Sequence, residues 1–308
     1  MKYRIYIIIS ISFFLCSCEQ EFVPEINNAP PDIVVEGHIE AGDNALPPYI
    51  VLTRSTPFFN KIDSSTINNL FVHDAEVKVS VDNIDYNFTE ICYNTLTPEQ
   101  KKIFGQLLNV NLESAGLNFC VYLEPSFQLK GEIGKTYKLN IKAGNKELSS
   151  VTTIPQFVKL DSLWFTQPPG TPSDTLRQLY CYISDSKGIS DYYRYFTAVN
   201  DGPFITGFSS VTDDKFFDGL YFKFALQKAK PRNVDFDPTT YGLFHIGDTA
   251  RIKWANIDKD HYDFWNTLEF NRQNQGPFSS YTRITTNIKG GLGIWGGYST
   301  GTYSLIVK

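Results

Sequence analysis

A chain of 308 residues is long enough for two domains with cores of their own. Its 33 acidic and 28 basic side chains give a net charge of −5, and no Lys/Arg cluster occurs, which excludes nucleic acid as an electrostatic partner. Aromatic residues make up 15% of it, 24 Phe and 18 Tyr against a single Met, a bias that suits β-sheet cores.

The start reads MKYRIYIIISISFFL. Lys2 and Arg4 form a positive head, and Ile5 to Leu15 is an apolar stretch too short to span a bilayer but of the length of a secretory signal. Leu15-Cys16-Ser17-Cys18 resembles a bacterial lipobox, with Cys18 as the lipidated residue and new N-terminus. Residues 1–17 are then a signal peptide. Residues 18–31, with Pro24, Pro30 and Pro31, are an extended tether to a membrane face. Losing Lys2 and Arg4 with the leader moves the net charge from −5 to −7.

Residues 32–155 read as short strands separated by turns. They comprise Ile33 to Ile39, Tyr49 to Thr53, Ala75 to Val81, Tyr86 to Cys92, Leu117 to Leu123, Thr136 to Lys142 and Glu147 to Ile154. The Ala75 and Thr136 runs alternate between apolar and polar, so each has one buried face. Such a series predicts an immunoglobulin-like β-sandwich. A helix interrupts it: Thr97-Pro98-Glu99-Gln100 is a capping box, and the helix runs to about Leu108. Cys92 and Cys120 lie in the two strands that flank it, and an oxidising compartment permits a disulfide between them. Cys181 is left over as a buried small hydrophobe.

Residues 156–308 predict a second β-rich domain carrying one helix. Strands are expected at Val158 to Phe165, Tyr180 to Ile183, Tyr192 to Val199, Gly219 to Ala225 and Thr249 to Trp254. Asp258 caps a helix reaching Phe270, with Tyr262, Trp265 and Leu268 or Glu269 on one face. Gly291 to Gly296 reads GLGIWG and fits the dinucleotide fingerprint, but strand-forming residues follow it instead of a helix. It is expected to be a turn or bulge leading into the last strand, with Trp295 as a core plug and no bound nucleotide.

Little points to chemistry. His38, His73, His245 and His261 form no ligand pattern, and neither a G-x-S-x-G elbow nor a Walker loop occurs. Asp213, Asp214 and Asp218 hint at an oxygen-rich cation site, but the spacing is not that of an EF-hand, and a turn is the better reading. No catalytic residue, metal ligand or cofactor is expected.

With these segments in place, the chain resembles the Bacteroidota lipoproteins grouped as domain of unknown function 4249. The likeness rests on the Cys18 lipobox, "IVVEGHI", "VLTRSTPFF", "FVHDAEVKV", "GEIGKTYKL", "TTIPQFVKLDSLWF", "IDKDHYDFW" and "NIKGGLGIWGGYS", in that order. Glu19-Gln20-Glu21, directly after the cysteine, resembles the surface-export signal of that phylum. The resemblance implies a lipid-anchored outer-membrane protein that faces the exterior and accompanies a TonB-dependent receptor. The expected function is non-enzymatic binding of a ligand or partner; the alternative is a surface hydrolase acting on a glycan or peptide.

Overall fold

The computed structural model describes residues 30–43, 45–56, 64–108, 117–231, 234–274 and 283–308. Cys18, the expected signal peptide and most of the expected tether lie outside them. The protein is mainly β, and Pro31–Lys308 cluster as one compact unit.

An eleven-stranded sheet runs through nearly all of it. At its centre lie β1 (Ile33–Ala41) and β15 (Leu292–Ile306), side by side and parallel. On the far side of β1 the order continues with β2 (Tyr49–Arg54), β5 (Cys120–Leu123), β4 (Ile84–Cys92), β3 (Glu76–Val81), β6 (Thr136–Ala143) and β7 (Lys146–Thr153). On the far side of β15 come β14 (Thr249–Ile257), β10 (Tyr192–Val199) and β11 (Val211–Asp213). A smaller sheet is built on β9 (Leu176–Ser184), which pairs with β8 (Leu160–Thr166), β12 (Tyr221–Leu226) and β13 (Phe244–His245).

The boundary expected between residues 155 and 156 therefore marks a change of core, not a break in the fold. One core gathers Val35, Ile39, Leu52, Val79, Tyr137, Leu139 and Trp295. The strands around it roll until β7 returns towards β15, where Ser149 and Lys289 exchange backbone hydrogen bonds of 3.1 and 2.8 Å. A second core lies between the smaller sheet and strands β10 and β14, with Leu179, Ile183, Tyr193, Phe244 and Trp254 fully buried. The strict alternation of β3 and β6 in sequence is matched by strictly alternating burial of their side chains.

Among the described residues three α-helices decorate the sheets: α1 (Ser64–Asn68), α2 (Pro98–Leu108) and α3 (Lys259–Gln273). The capping box of α2 is formed as expected. Gln100 N donates to Thr97 Oγ1 at 3.3 Å, and Thr97 N donates back to Gln100 Oε1 at 2.9 Å. Phe104 of α2 is buried with Tyr93 and Val121. Asp258 caps α3 by accepting from His261 N at 2.8 Å.

The glycine-rich hexamer is not a turn before the last strand, since from Leu292 onward it is that strand. Strand β15 pairs with β1 through its first half, which holds the hexamer, and with β14 through its second. Gly293 has φ 105°, and a Cβ there would stand 1.9 Å from the carbonyl oxygen of Val35. Only glycine lets the two backbones come this close. Trp295 fills the first core as expected, fully buried, its Nε1 donating to Tyr137 O at 3.2 Å. Replacing Gly293 with Ala is expected to destabilise the fold by about 3 kcal/mol or more, from the combined clash and left-handed strain. Urea denaturation measures it, and an unchanged midpoint would refute the close-approach account.

Cys92 and Cys120 are a directly opposed cross-strand pair on β4 and β5, joined as a disulfide with their Cα atoms 4.1 Å apart. The bridge closes a loop over a sequence separation of 28. Its reduction is expected to cost about 3–4 kcal/mol by loop entropy. Melts with and without reductant, read beside alkylation of the freed thiols, test that value.

Candidate functional site

Helix α3 lies over the outer face of the large sheet, and the layer between them is polar. From β10 the side chain of Arg194 reaches beneath the helix. Its guanidinium carbon lies 3.6 Å from the centre of the Trp265 ring and 4.8 Å from that of Phe196, stacked on both. Arg194 Nε donates to Ser210 Oγ at 3.2 Å. Ser210 in turn gives its N–H to Glu269 Oε2 at 2.8 Å and its hydroxyl to Glu269 Oε1 at 2.5 Å. Burial pulls the Arg194 pKa down to about 10, with Glu269 opposing, so the charge persists at neutral pH.

Further along the same layer, Glu40 of β1 is buried and accepts from Lys253 of β14 at 2.8 Å and from Thr300 of β15 at 2.6 Å. Three central strands thus meet at one carboxylate. Beside it Tyr298 stands between two imidazoles, 5.3 Å from His38 and 5.7 Å from His261. His261 lies over Gly296, where a Cβ would come within 2.6 Å of its Nδ1, and that nitrogen has no hydrogen-bond partner. The helix cap joins this network to the first core. Asp258 accepts from the hydroxyl of Thr152 on β7, which itself accepts from Gly297 N at 2.6 Å.

At the C-terminal end of α3 the layer opens to solvent. A cleft of about 600 Å³ is bordered by Phe208, Lys230, Tyr241, Trp265, Glu269 and Arg272. Its rim is aromatic: Phe208 is 5.5 Å from Tyr241 and 6.1 Å from Phe236, and both phenylalanines are more than half exposed. Gln273 Nε2 donates to Phe208 O at 2.6 Å, tying the rim to the helix. Aromatic faces with Lys230 and Arg272 beside them can hold a ligand that has apolar faces and polar or anionic edges.

The histidines are dispersed in sequence but not all in space: the fold brings His38 and His261 to the same tyrosine. His73 pairs with Glu90 at 2.5 Å, and His245 is exposed on β13. Cys181 is buried in the second core, and burial raises its thiol pKa. Asp213 pairs with Lys215 at 2.5 Å and is separate from Asp214 and Asp218, which meet Asp185 instead. Neither Arg194 nor Glu269 stood out in sequence as a site residue. The available signals were a lone Arg in the aromatic strand Tyr192–Val199 and an acid on the apolar face of α3.

Burial, with the nearby Lys253 and Arg194 charges, holds the His38 pKa down to about 3; burial holds that of His261 well below 6.5. Both would titrate near 6.5 when unfolded, so below that pH the unfolded chain binds protons that the fold does not. Stability is fully retained above pH 6.5 and falls as pH drops, by about 1.4 kcal/mol per unit for each histidine. Asp258 opposes this, because burial raises its pKa to about 6. Between pH 7.5 and pH 5 the wild type is expected to lose about 2 kcal/mol more than a His38→Gln variant. Urea midpoints at the two pH values measure the difference, and parallel losses would contradict it.

Comparison with known families matches residues 19–304 to one model, described as a domain of unknown function, DUF4249. No curated protein matches the chain.

Proposed function

Because the chain belongs to the DUF4249 family, we propose that it is a lipoprotein anchored to the bacterial outer membrane through Cys18, where it binds a ligand or partner and catalyses no reaction. Cys18 follows a positive head and an eleven-residue apolar stretch, the pattern of a lipidated leader. No helix among the described residues is long and apolar enough to cross a membrane. The body is read as an N-terminal sandwich-like half with a helical insertion and a C-terminal β-rich half, sharing one sheet. The family resemblance favours a Bacteroidota envelope, exposure to the exterior and a TonB-dependent receptor as partner.

The cleft beside α3 is the observation that carries the binding reading. Exposed aromatic rings grouped at a concave site are a costly surface for an unpartnered protein and a favourable one for recognition. The hydrolase alternative calls for two converging carboxylates or a nucleophile with its base. Glu269 is the one acid among the described residues that line the cleft, and both its oxygens accept hydrogen bonds from Ser210.

Two measurements test the proposal together. Fractionation should find the wild type in the outer membrane and a Cys18→Ala variant in the soluble fraction; a variant that still resists salt extraction overturns the anchor. Cross-linked capture of the full-length protein from its native membrane should recover a TonB-dependent barrel. A folded Phe208→Ala/Tyr241→Ala variant should recover it about tenfold less. Equal recovery by both would remove the cleft from recognition.

A further inference from the structure

Beside the disulfide that joins β4 to β5 stand an imidazole and a carboxylate. His73 lies in the segment that leads into β3, and Glu90 is two residues before Cys92 on β4. Residues two apart on a strand point to the same side, so Glu90 and Cys92 share a face. Cys120 lies directly across from Cys92. One ligand-capable atom from each of His73, Glu90, Cys92 and Cys120 lies within 4.8 Å of all the others. His73 Nδ1 is 2.5 Å from Glu90 Oε1, and the same oxygen is 3.5 Å from Cys92 Sγ. Glu90 Oε2 accepts from Asp74 N at 3.3 Å. A backbone donor thus holds the carboxylate and leaves Oε1 to the imidazole and the sulfur.

Two cysteine sulfurs, an imidazole and a carboxylate are not the ligands of a hard cation; together they are those of Zn²⁺. A closed tetrahedral zinc site takes four ligands, and this cluster offers four. Atoms about 2.0–2.3 Å from a tetrahedral Zn²⁺ stand about 3.3–3.8 Å from one another, so the quartet needs only small side-chain movements to close on one ion. His73 is half exposed and Cys120 is buried, so an ion's way in lies past the imidazole.

We propose that His73, Glu90, Cys92 and Cys120 form a Zn²⁺ site that exists only when the Cys92–Cys120 bridge is reduced. The reductant is a low-molecular-weight thiol. Its thiolate attacks the sulfur of Cys92, the less buried of the two, and the S–S bond breaks with its electron pair leaving on Cys120. A second thiolate attacks the mixed disulfide, which frees Cys92 as a thiolate and releases the reductant as its own disulfide. Two electrons pass from the two thiols to the bridge, and their two protons go to solvent. Both cysteine thiolates then bind Zn²⁺, with Glu90 Oε1 and with His73 as the tautomer protonated on Nε2. The link between β4 and β5 is remade as sulfur–zinc–sulfur, closing the same loop that the disulfide closed. The strand pair therefore stays cross-linked in either redox state. This site is separate from the cleft beside α3 and does not depend on the proposed binding role.

The test uses the mature chain bearing Cys18→Ala, which removes a competing thiol, reduced with a phosphine under argon. It should take up one Zn²⁺ per chain in competition with a chromophoric chelator, and the oxidised protein should bind at least about a hundredfold more weakly. Co²⁺ in place of Zn²⁺ should give a thiolate-to-metal charge-transfer band and the intense visible absorption of a tetrahedral site. Zn²⁺ at ten times its dissociation constant should raise the Tm of the reduced protein by roughly 3 °C and leave that of the oxidised protein unchanged. Because its imidazole is half exposed, His73→Ala should fold and form the disulfide. Reduced, it should bind Zn²⁺ at least about tenfold more weakly. A reduced protein that takes up no Zn²⁺, an affinity that His73→Ala leaves unchanged, or a Co²⁺ complex without the thiolate band overturns the proposal. If reduction alone unfolds the chain, Zn²⁺ should refold it, and failure to do so overturns the proposal as well.

Discussion

Everything in this fold hangs on the backbone contact between β1 and β15. Eight consecutive residue pairs, Val34 with Leu292 through Ala41 with Ser299, run parallel down the middle of the large sheet. The contact requires the carbonyl of Val35 to lie where a side chain on residue 293 would be, and glycine removes that obstacle. Past Tyr298 the same strand turns its hydrogen bonds to β14. One strand therefore serves two cores: Trp295 packs into the first and Val307, just past its end, into the second.

The opposite face of the same strands carries the polar layer beneath α3. Buried ion pairs such as Glu40 with Lys253 are weak sources of net stability, because desolvation offsets most of the attraction. They discriminate between registers instead. A one-residue slip of β14 or of β1 against β15 would leave a buried carboxylate and ammonium apart, at several kcal/mol. The neutral histidines beside them are consistent with this division of labour. Lys253 is already paired with Glu40, and Arg194 is linked to Glu269 through Ser210, so a third or fourth cation in the layer would add charge to acids already engaged.

Much of the local structure was legible in the sequence. The alternation of β3 and β6, the capping box of α2 and the Asp258 cap each depend on residues a few positions apart, where periodicity and side-chain chemistry act directly. The short strands β11 and β13, three and two residues long, carry no period to read. Nor could local pattern show that β1 pairs with β15, because nothing within either strand names its partner. The two-domain reading followed from that gap: most of the first core precedes Pro155 and the second follows it, but Ile288 and Trp295 return to the first, and one sheet joins the two. The site residues were harder still. His38 and His261, or Asp185 and Asp218, are neighbours only because distant strands and turns converge.

The parallel pairing of β1 also shapes how the protein can be assembled. Its partner strand begins at Leu292, 251 positions beyond the end of β1 at Ala41. Until that segment has been synthesised, the first core lacks Trp295 and β1 keeps an unpaired, largely apolar edge. A nascent chain in that condition closes slowly and offers its open edge to other strands. Held back until β15 arrives, the two halves complete in one cooperative step, so an interrupted chain yields no finished N-terminal half but an intermediate exposed to aggregation and proteolysis.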